Sequence, residues 1–401
     1  MRLRLPVVLI LICTLLLSCA TGEEAPEISE RCTVRTSDRR STDILKDGRV
    51  LTYYTAEHGA QEISAALSKY DSAAGWIILD FFKAPDDFEI CQYDAEGALL
   101  ESYMMQELGF APLTVCREAK PGAVSFTLTV PEGSMVSDIH VFAPGDAPES
   151  AQFWEKPEKV DLMLISTHQD DEELWFGGTL PYYAVERGVK TLVVYMAGDS
   201  RWRQKEALSG LWAMGLTLYP DFRQMYDCYP DTYEEALRIW GGDDAVTERM
   251  TAFIRQYKPE VIVTHDLNGE YGHPQHKITA RHVENAVRAA ADETMFHESY
   301  ALYGAWQVKK LYLHMYGENT IYMDWETPSE KLGGLTPLEV AGIGFSKHTS
   351  QHARYDMSWG KRYDNSKFGL VYSVVGDDIF KDDFLENTAA DPRKQAMEEV
   401  E

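Results

Sequence analysis

Three short apolar runs between residues 160 and 265 constrain the fold of the chain more than any other feature: VDLMLIST (160–167), KTLVVYMA (190–197) and EVIVTH (260–265). Runs that are apolar at nearly every position are typical of strands buried on both faces of a sheet. Segments with a helical period lie between them, at 202–215 and 244–259. This alternation predicts an α/β fold in which helices flank a Rossmann-like, mainly parallel sheet.

The first half of the chain has a different pattern. Between residues 48 and 147, short β-like runs such as GWIILDFF (75–82) and SFTLTV (125–130) are separated by turn residues and show no helical period. This pattern predicts a small β-sandwich-like accessory domain that precedes the α/β domain. The Pro- and Glu-rich stretch 145–159 predicts a linker between the two.

The first residues read MRLRLPVVLILICTLLLSCA, a positive start followed by an apolar core, which is the form of a secretory signal. The end of this run, LLSC (16–19), resembles a bacterial lipobox. We therefore predict a lipoprotein signal peptide over residues 1–19, a lipid on Cys19 and a flexible polar tether over residues 20–47. The protein would then be anchored at the outer face of the cell membrane. A plain signal peptide with a chance cysteine is the alternative.

The net charge and the cysteines bear on possible partners and on disulfide bonding. The chain has 38 basic and 64 acidic residues, a formal net charge of −26, which argues against nucleic acid because phosphate binding needs a basic face. Four cysteines remain beyond the leader. An exported chain permits a disulfide between Cys91 and Cys116, but buried thiols at Cys32, Cys91, Cys116 and Cys228 are equally compatible with the sequence.

Two polar loops follow two of the apolar runs. The first, STHQDDEELWFGG (166–178), contains four consecutive acids, which repel one another unless a positive charge lies among them. The second, THDLNGEYGHPQH (264–276), contains three histidines. Ligands of doubly wound sheets bind beyond the carboxyl ends of the strands, so both loops are expected to open onto one crevice. Two histidines and a carboxylate with an open position are typical of catalytic zinc.

With these motifs, residues 160–290 resemble the PIG-L/LmbE-like de-N-acetylases, which remove acetyl groups from N-acetylglucosamine-type sugars and related amides. The family has His-Pro-Asp-Asp-Glu where this chain has HQDDE (168–172), and His-Pro-Asp-His where this chain has HPQH (273–276). Gln169 and Gln275 are departures from those motifs. Neither is expected to be a ligand or proton carrier, but Gln275 leaves open any orienting role of the family's aspartate.

The resemblance implies that residues 157–390 form a PIG-L/LmbE-like catalytic domain that holds Zn²⁺ or another divalent transition metal. It implies roles for seven side chains: metal binding by His168, Asp171 and His276; general-base catalysis by Asp170; oxyanion stabilisation or amine protonation by His273; assistance by Tyr271; and contact with a substrate hydroxyl by Arg203. The implied activity is removal of the acetyl group from an N-acetylated, GlcNAc-type sugar or glycoconjugate.

Several questions stay open on the sequence alone. His265 is compatible with a structural role or with the edge of a substrate site. His348 and His352 are expected in packing or in a cleft wall, and Glu172 and Glu173 in structural positions. Two other functions compete with sugar deacetylation: a carbohydrate-binding lipoprotein whose hydrolase domain is secondary or inactive, and a hydrolase of another amide such as a thiol-sugar conjugate.

Overall fold

The computed structural model describes residues 24–391, apart from 69–72, 86 and 105–107, together with residue 393. The predicted signal peptide and the predicted lipidation site, Cys19, lie outside the described residues. Within the described residues, no helix combines the length and the apolar character needed to span a bilayer.

Two antiparallel sheets form the strand-rich N-terminal region. Their strands are Thr33–Thr36 (β1), Tyr54–Thr55 (β2), Gln61–Ala66 (β3), Trp76–Lys83 (β4), Glu89–Tyr93 (β5), Leu99–Met104 (β6), Thr114–Glu118 (β7), Ser125–Val130 (β8) and Met135–Phe142 (β9). One sheet has the order β1-β3-β8-β5-β6 and the other β2-β9-β4-β7. Every second residue of β8 is buried, because successive side chains of a strand point to opposite faces. Inward-facing side chains of both sheets share one apolar core.

Residues 24–47 belong to this region, so the prediction of a flexible tether over residues 20–47 is wrong for its described part. Strand β1 pairs with β3, and a 3₁₀-helix covers Asp43–Lys46. Ile28 and Leu45 are buried in the core between the two sheets. The segment's few apolar residues have neither a helical nor a strand period, which is why its polar composition concealed their burial.

The cysteines do not form the disulfide that the sequence allowed. Cys91 lies in β5 and Cys116 in β7, which belong to different sheets, and both are free thiols, as is Cys228. The sequence could not decide this because it does not show which strands share a sheet.

A seven-stranded sheet organises the chain from Leu162 onward. Its strands are Leu162–Ser166 (β10), Thr191–Tyr195 (β11), Asp221–Phe222 (β12), Val261–Thr264 (β13), Lys310–His314 (β14), Thr320–Tyr322 (β15) and Lys367–Ser373 (β16). Their order is β12-β11-β10-β13-β14-β16-β15. The five strands from β12 to β14 run parallel, whereas β16 is antiparallel to both of its neighbours.

Helices cover both faces of this sheet, so the fold is mixed α/β. They are Asp171–Leu174 (α1), Arg201–Ala213 (α2), Tyr233–Ile239 (α3), Asp243–Tyr257 (α4), Pro274–Ala291 (α5), His297–Tyr303 (α6), Pro337–Phe345 (α7) and Ser358–Arg362 (α8). Leu162 and Leu164 of β10 pack in a core with residues of α2 and α7. Met163 and Ile165 pack in the opposite core with residues of α4 and α5. Because both faces of β10 are buried, its residues are apolar at four successive positions, from Leu162 to Ile165.

Residues 174–187 do not form one continuous helix. α1 ends at Leu174, and a π-helical turn covers Pro181–Glu186. Gly177, between them, has a φ of 53°, and a Cβ there would lie 2.8 Å from Cδ1 of Trp325. The positive φ and the close approach of Trp325 both require glycine, and they break the helix.

Direct contacts join the strand-rich region to α2. Nζ of Lys205 lies 2.6 Å from Oδ2 of the buried Asp80 in β4, and Nε of Arg201 donates to the carbonyl oxygen of Phe81 at 2.8 Å. The connecting stretch 145–159 is packed as well, since the buried Trp154 makes edge-to-face contacts with Trp212 and Tyr219. The same helix therefore carries contacts to the N-terminal sheets and, as shown below, to the candidate site.

The burial of residues 24–47 predicts a clear difference between two leucines. Leu45 is fully buried, whereas Leu51 is 55% exposed. We expect Leu45→Ala to lower the free energy of unfolding by roughly 2–5 kcal/mol, through lost burial and a cavity. Leu51→Ala, the matched control, should change it by less than about 0.5 kcal/mol. Urea unfolding, monitored by circular dichroism, measures both changes in stability. Equal unfolding midpoints for the two variants would support the prediction of a flexible tether instead.

A candidate metal centre beyond two strand ends

The two polar loops meet at the carboxyl edge of the parallel sheet. The first loop follows β10 and leads into α1; the second follows β13 and leads into α5. β10 and β13 are neighbours, but the chain first passes to β11 and β12 on the other side of β10. Neighbouring strands whose connections leave in opposite directions open a crevice at their carboxyl ends, where ligands of such sheets bind.

Three of the predicted ligand side chains form a tight triangle in this crevice. Nδ1 of His168 lies 3.1 Å from Nε2 of His276 and 3.2 Å from Oδ2 of Asp171. Nε2 of His276 lies 3.2 Å from the same oxygen of Asp171. All three residues are at least 95% buried. The structure therefore brings together the three side chains that the sequence predicted as metal ligands.

The outer nitrogen of each histidine has a fixed partner. Nδ1 of His276 donates to Oε2 of Glu270 at 2.7 Å, and Nε2 of His168 donates to Oε1 of Gln275 at 2.9 Å. In the neutral form of each ring, the nitrogen that faces the triangle is then left with a lone pair. Acceptors of this kind commonly set the tautomer and orientation of metal-binding imidazoles.

Gln275 thus supplies an acceptor where the family motif has an aspartate. Its own amide nitrogen donates to the carbonyl oxygen of Tyr226 at 2.8 Å and lies 3.3 Å from Sγ of Cys228. These contacts point the amide oxygen at His168. The departure from the motif replaces a charged acceptor by a neutral one and retains the hydrogen bond.

The dimensions of the triangle are within a few tenths of an ångström of those around a zinc ion. Zinc bonds of about 2.0–2.2 Å in a tetrahedral arrangement separate ligand atoms by about 3.3–3.5 Å, and the three donor atoms here are 3.1–3.2 Å apart. Two imidazole nitrogens and one carboxylate oxygen are also the donor set of catalytic zinc sites that keep a fourth position open. The residues present therefore fit a divalent transition metal.

Asp170 lies beside the triangle in a strained turn. Its φ is 117°, a region that residues with a side chain rarely adopt, and its backbone N–H donates to Oε2 of Glu172 at 2.9 Å. Oδ1 of Asp170 lies 2.6 Å from Nη2 of Arg203. Burial raises the pKa of Asp170 to about 6, with the Arg203 charge opposing the rise and the Asp171 charge adding to it.

Asp171 has the opposite shift. Burial favours its neutral form, but the charge of His276 and the hydrogen bond from His168 outweigh burial and hold its pKa well below the usual range. Oδ1 of Asp171 also accepts from the indole of Trp175 at 2.7 Å. Two adjacent carboxyl groups with pKa values moved apart are suited to two different tasks.

His273 offers a proton donor at the edge of the site. Its Nδ1 accepts the backbone N–H of Gln275 at 3.2 Å and caps α5. Burial, together with the charges of His276 and His168, lowers the pKa of His273, so the neutral ring dominates. With Nδ1 used as an acceptor, the neutral ring carries its proton on Nε2.

These residues line a cleft of about 310 Å³. Tyr271 borders it, with its hydroxyl 3.4 Å from that of Tyr355. Arg203 borders it too, but two of its nitrogens already contact acids, Asp170 at 2.6 Å and Asp227 at 3.0 Å. A larger cavity of about 1220 Å³ lies beside the packed stretch 147–155, away from the triangle. The smaller cleft holds the reactive groups and is the candidate active site.

The sequence analysis assigned no role to three residues of this site, Glu270, Asp227 and His314. It left the role of a fourth, His265, undecided. Glu270 accepts from His265, His276 and His314, and Asp227 bonds Arg203. The position of His314 at the carboxyl end of β14 was a usable signal, since the predicted crevice lies at that edge. His265 is fully buried, and its Nε2 accepts the N–H of Thr167 at 2.9 Å, so its role is structural.

Comparison with known proteins agrees with this geometry. Residues 163–287 match the family described as PIG-L, GlcNAc-PI de-N-acetylase, and the chain therefore contains a PIG-L domain that spans both loops. A 1D-myo-inositol 2-acetamido-2-deoxy-alpha-D-glucopyranoside deacetylase of Mycobacteroides abscessus is 32% identical over 177 residues, which cover 38% of this chain and 58% of that protein. Deacetylase 1 of the same description from Catenulispora acidiphila is 28% identical over 179 residues, with 38% and 54% covered.

The chain spans little more than half the length of these curated relatives. Among solved structures, N,N'-diacetylchitobiose deacetylase from Pyrococcus horikoshii is similar to this chain at 15% identity, covering 53% of this chain and 83% of that chain with a TM-score of 0.34.

The hydrogen bond between Gln275 and His168 predicts an effect on metal affinity. Gln275→Ala should weaken zinc binding by roughly 10–100-fold, because His168 loses the acceptor that fixes its tautomer. Gln351→Ala is the matched control, since Gln351 lines the same cleft but its amide donates to Ser350. Competition with a chromogenic chelator measures both affinities. Equal affinities would show that Gln275 does not orient the ligand.

Proposed function

We propose that this chain is a metal-dependent hydrolase that removes the acetyl group from an N-acetylated sugar of the GlcNAc type. The observation that carries the proposal is the triangle of His168, Asp171 and His276, with a second carboxyl group, Asp170, beside it in an open cleft. An amide is a poor electrophile with a poor leaving group. Its hydrolysis needs a polarised carbonyl, an activated water and an acid for the departing nitrogen.

The proposed ion is Zn²⁺, with another divalent transition metal as the alternative, held by the three side chains of the triangle. Bound there, it would polarise the amide carbonyl and make water in the cleft more acidic. The similarity of residues 163–287 to the PIG-L family supports the choice of an acetamido sugar, because the curated relatives are named as deacetylases of such a substrate.

Asp170 is the proposed general base. Its carboxylate would take a proton from the attacking water, and Arg203 would hold it in position through the contact at Oδ1. With a pKa raised to about 6, Asp170 is mostly ionised at neutral pH and close enough to it to accept a proton. The base form is lost as the pH falls through that pKa, and a nearby dication would move this limit to lower pH.

His273 is proposed to stabilise the oxyanion or to protonate the departing amine through the Nε2 proton that its cap hydrogen bond implies. Tyr271 borders the same cleft and is proposed to assist. Arg203 is proposed to contact a substrate hydroxyl in addition to holding Asp170, since it lines the cleft between two acids.

Acetate release tests the activity and separates the two aspartates. We expect release from a panel of GlcNAc glycans or thiol-sugar conjugates, and none from metal-stripped protein. Asp170→Asn should keep the ion yet slow release by roughly 10²–10⁴-fold, because it removes only the proton acceptor. Asp171→Asn should lose the ion, since a neutral amide is a poorer ligand, and excess zinc should partly restore its rate.

The results of these experiments distinguish the proposed function from its alternatives. Loss of the ion in Asp170→Asn with retention in Asp171→Asn would reverse the two roles. Binding of the panel sugars without release in the zinc-loaded wild type would favour a carbohydrate-binding protein. Unchanged release in both variants would move the active site elsewhere.

We also propose that the protein acts at the outer face of the cell membrane, anchored by a lipid on Cys19, with the strand-rich N-terminal region as an accessory domain and residues 157–390 as the catalytic domain. The proposal rests on the leader sequence and its lipobox-like end. Cys19→Ser should move the protein from the membrane fraction to the soluble fraction of fractionated cells. An equally membrane-bound, processed variant would contradict it.

A further inference from the structure

A second set of side chains that carry metal-ligand atoms lies behind the strained turn and shares no residue with the triangle. Glu172 and Glu173 belong to α1, and His348 follows α7; all three are fully buried. Nε2 of His348 lies 3.7 Å from Oε1 of Glu172 and 3.5 Å from Oε1 of Glu173. One donor atom from each residue falls within 4.8 Å of the other two.

The polar atoms of this set are incompletely satisfied. Oε2 of Glu172 accepts the N–H of Asp170 at 2.9 Å, and Oε1 accepts the hydroxyl of Tyr195. In contrast, both carboxyl oxygens of Glu173 and both ring nitrogens of His348 are buried without a hydrogen bond to any described residue. Buried carboxylates are strongly disfavoured unless they are paired or coordinate a metal. His348 is the one basic side chain of the described residues that approaches either glutamate as an ion pair.

Two glycines border these atoms. A Cβ at Gly210, inside α2, would lie 3.3 Å from Oε1 of Glu173, 3.1 Å from Nε2 of His348 and 3.0 Å from the carbonyl oxygen of Gly344. A Cβ at Gly344, inside α7, would lie 3.0 Å from the same oxygen of Glu173. Glycine in a helix interior is unfavourable relative to alanine, so both positions need a local reason. Here the absence of side chains lets the donor atoms face the crossing of the two helices.

We propose that Glu172, Glu173 and His348 bind a second divalent transition-metal ion, with the carbonyl oxygen of Gly344 at the border of the site. Two carboxylates and a neutral imidazole balance the charge of one dication. The separations of 3.5 and 3.7 Å from Nε2 of His348 are close to the separation of about 3.3–3.5 Å expected around tetrahedral zinc. Carboxylate oxygen and imidazole nitrogen are ligands that zinc and its neighbours accept.

The second ion would be structural. Its three side-chain ligands are fully buried, and it would join α1 to the segment that follows α7. Glu172 would bind the ion through one oxygen and the N–H of Asp170 through the other. The ion would therefore fix the turn that carries Asp170 and Asp171, without contact to substrate.

Metal content tests this inference, with zinc as the probe. The wild-type chain, loaded with a small excess of zinc, dialysed free of unbound metal and analysed by mass spectrometry, should hold two ions. Glu173→Gln, which has nearly the same shape without the charge, should hold one and should show a lower melting temperature. Glu260→Gln is the matched control: Glu260 is also buried but pairs with Lys159 elsewhere, so this variant should hold two ions.

One ion in the wild type, or an unchanged count in Glu173→Gln, would overturn the second site and assign the cluster to protonated, packed side chains. If Glu173→Gln does not fold, the count on Asp171→Asn decides: one tightly held ion supports the second site, and none overturns it. Acetate release on the same samples keeps the two proposals apart. Activity with a single ion would leave the proposed function intact, and two ions without activity would leave only the second site.

Discussion

One buried carboxylate, Glu270, holds the candidate metal centre in shape. It accepts hydrogen bonds from the Nδ1 atoms of His265, His276 and His314, and from the backbone of Asp266. Burial alone would raise the pKa of Glu270, but His265 and the hydrogen bonds from the three imidazoles outweigh burial and hold that pKa well below the usual range. An ionised carboxylate with this many donors fixes the rings around it, and therefore fixes which nitrogen of His276 faces the ligand triangle.

The turn after β10 gives two adjacent aspartates different environments. A φ of 117° at Asp170 is a strain of about 1–3 kcal/mol, which the surrounding contacts must offset. Glu172 accepts the N–H of Asp170, and Arg203 bonds its side chain. Burial favours the neutral form of both side chains. The guanidinium beside Asp170 does not outweigh burial, so the pKa of Asp170 rises, whereas the two imidazoles beside Asp171 do, so the pKa of Asp171 falls. The strain lies where the candidate chemistry lies, which is its usual place in proteins.

Much of the fold could be predicted because local patterns determine it. The three apolar runs became β10, β11 and β13, since a strand buried on both faces must be apolar at every position. The helix over 244–259 became α4 for the equivalent reason of a helical period. Prediction failed where burial depended on distant partners. Leu45, in the segment predicted as a flexible tether, is covered by strands that come later in the chain.

The sequence by itself determined which chemical groups follow β10 and β13, and hence the triangle of His168, Asp171 and His276, because parallel strands deliver their following loops to one edge. The tertiary structure alone decided how those groups are used. Hydrogen bonds from remote segments set the tautomer of each histidine, and the Thr167 N–H removed His265 from the possible ligands. Such choices depend on contacts of about 3 Å between residues far apart in the chain, and no local pattern of residue types encodes them.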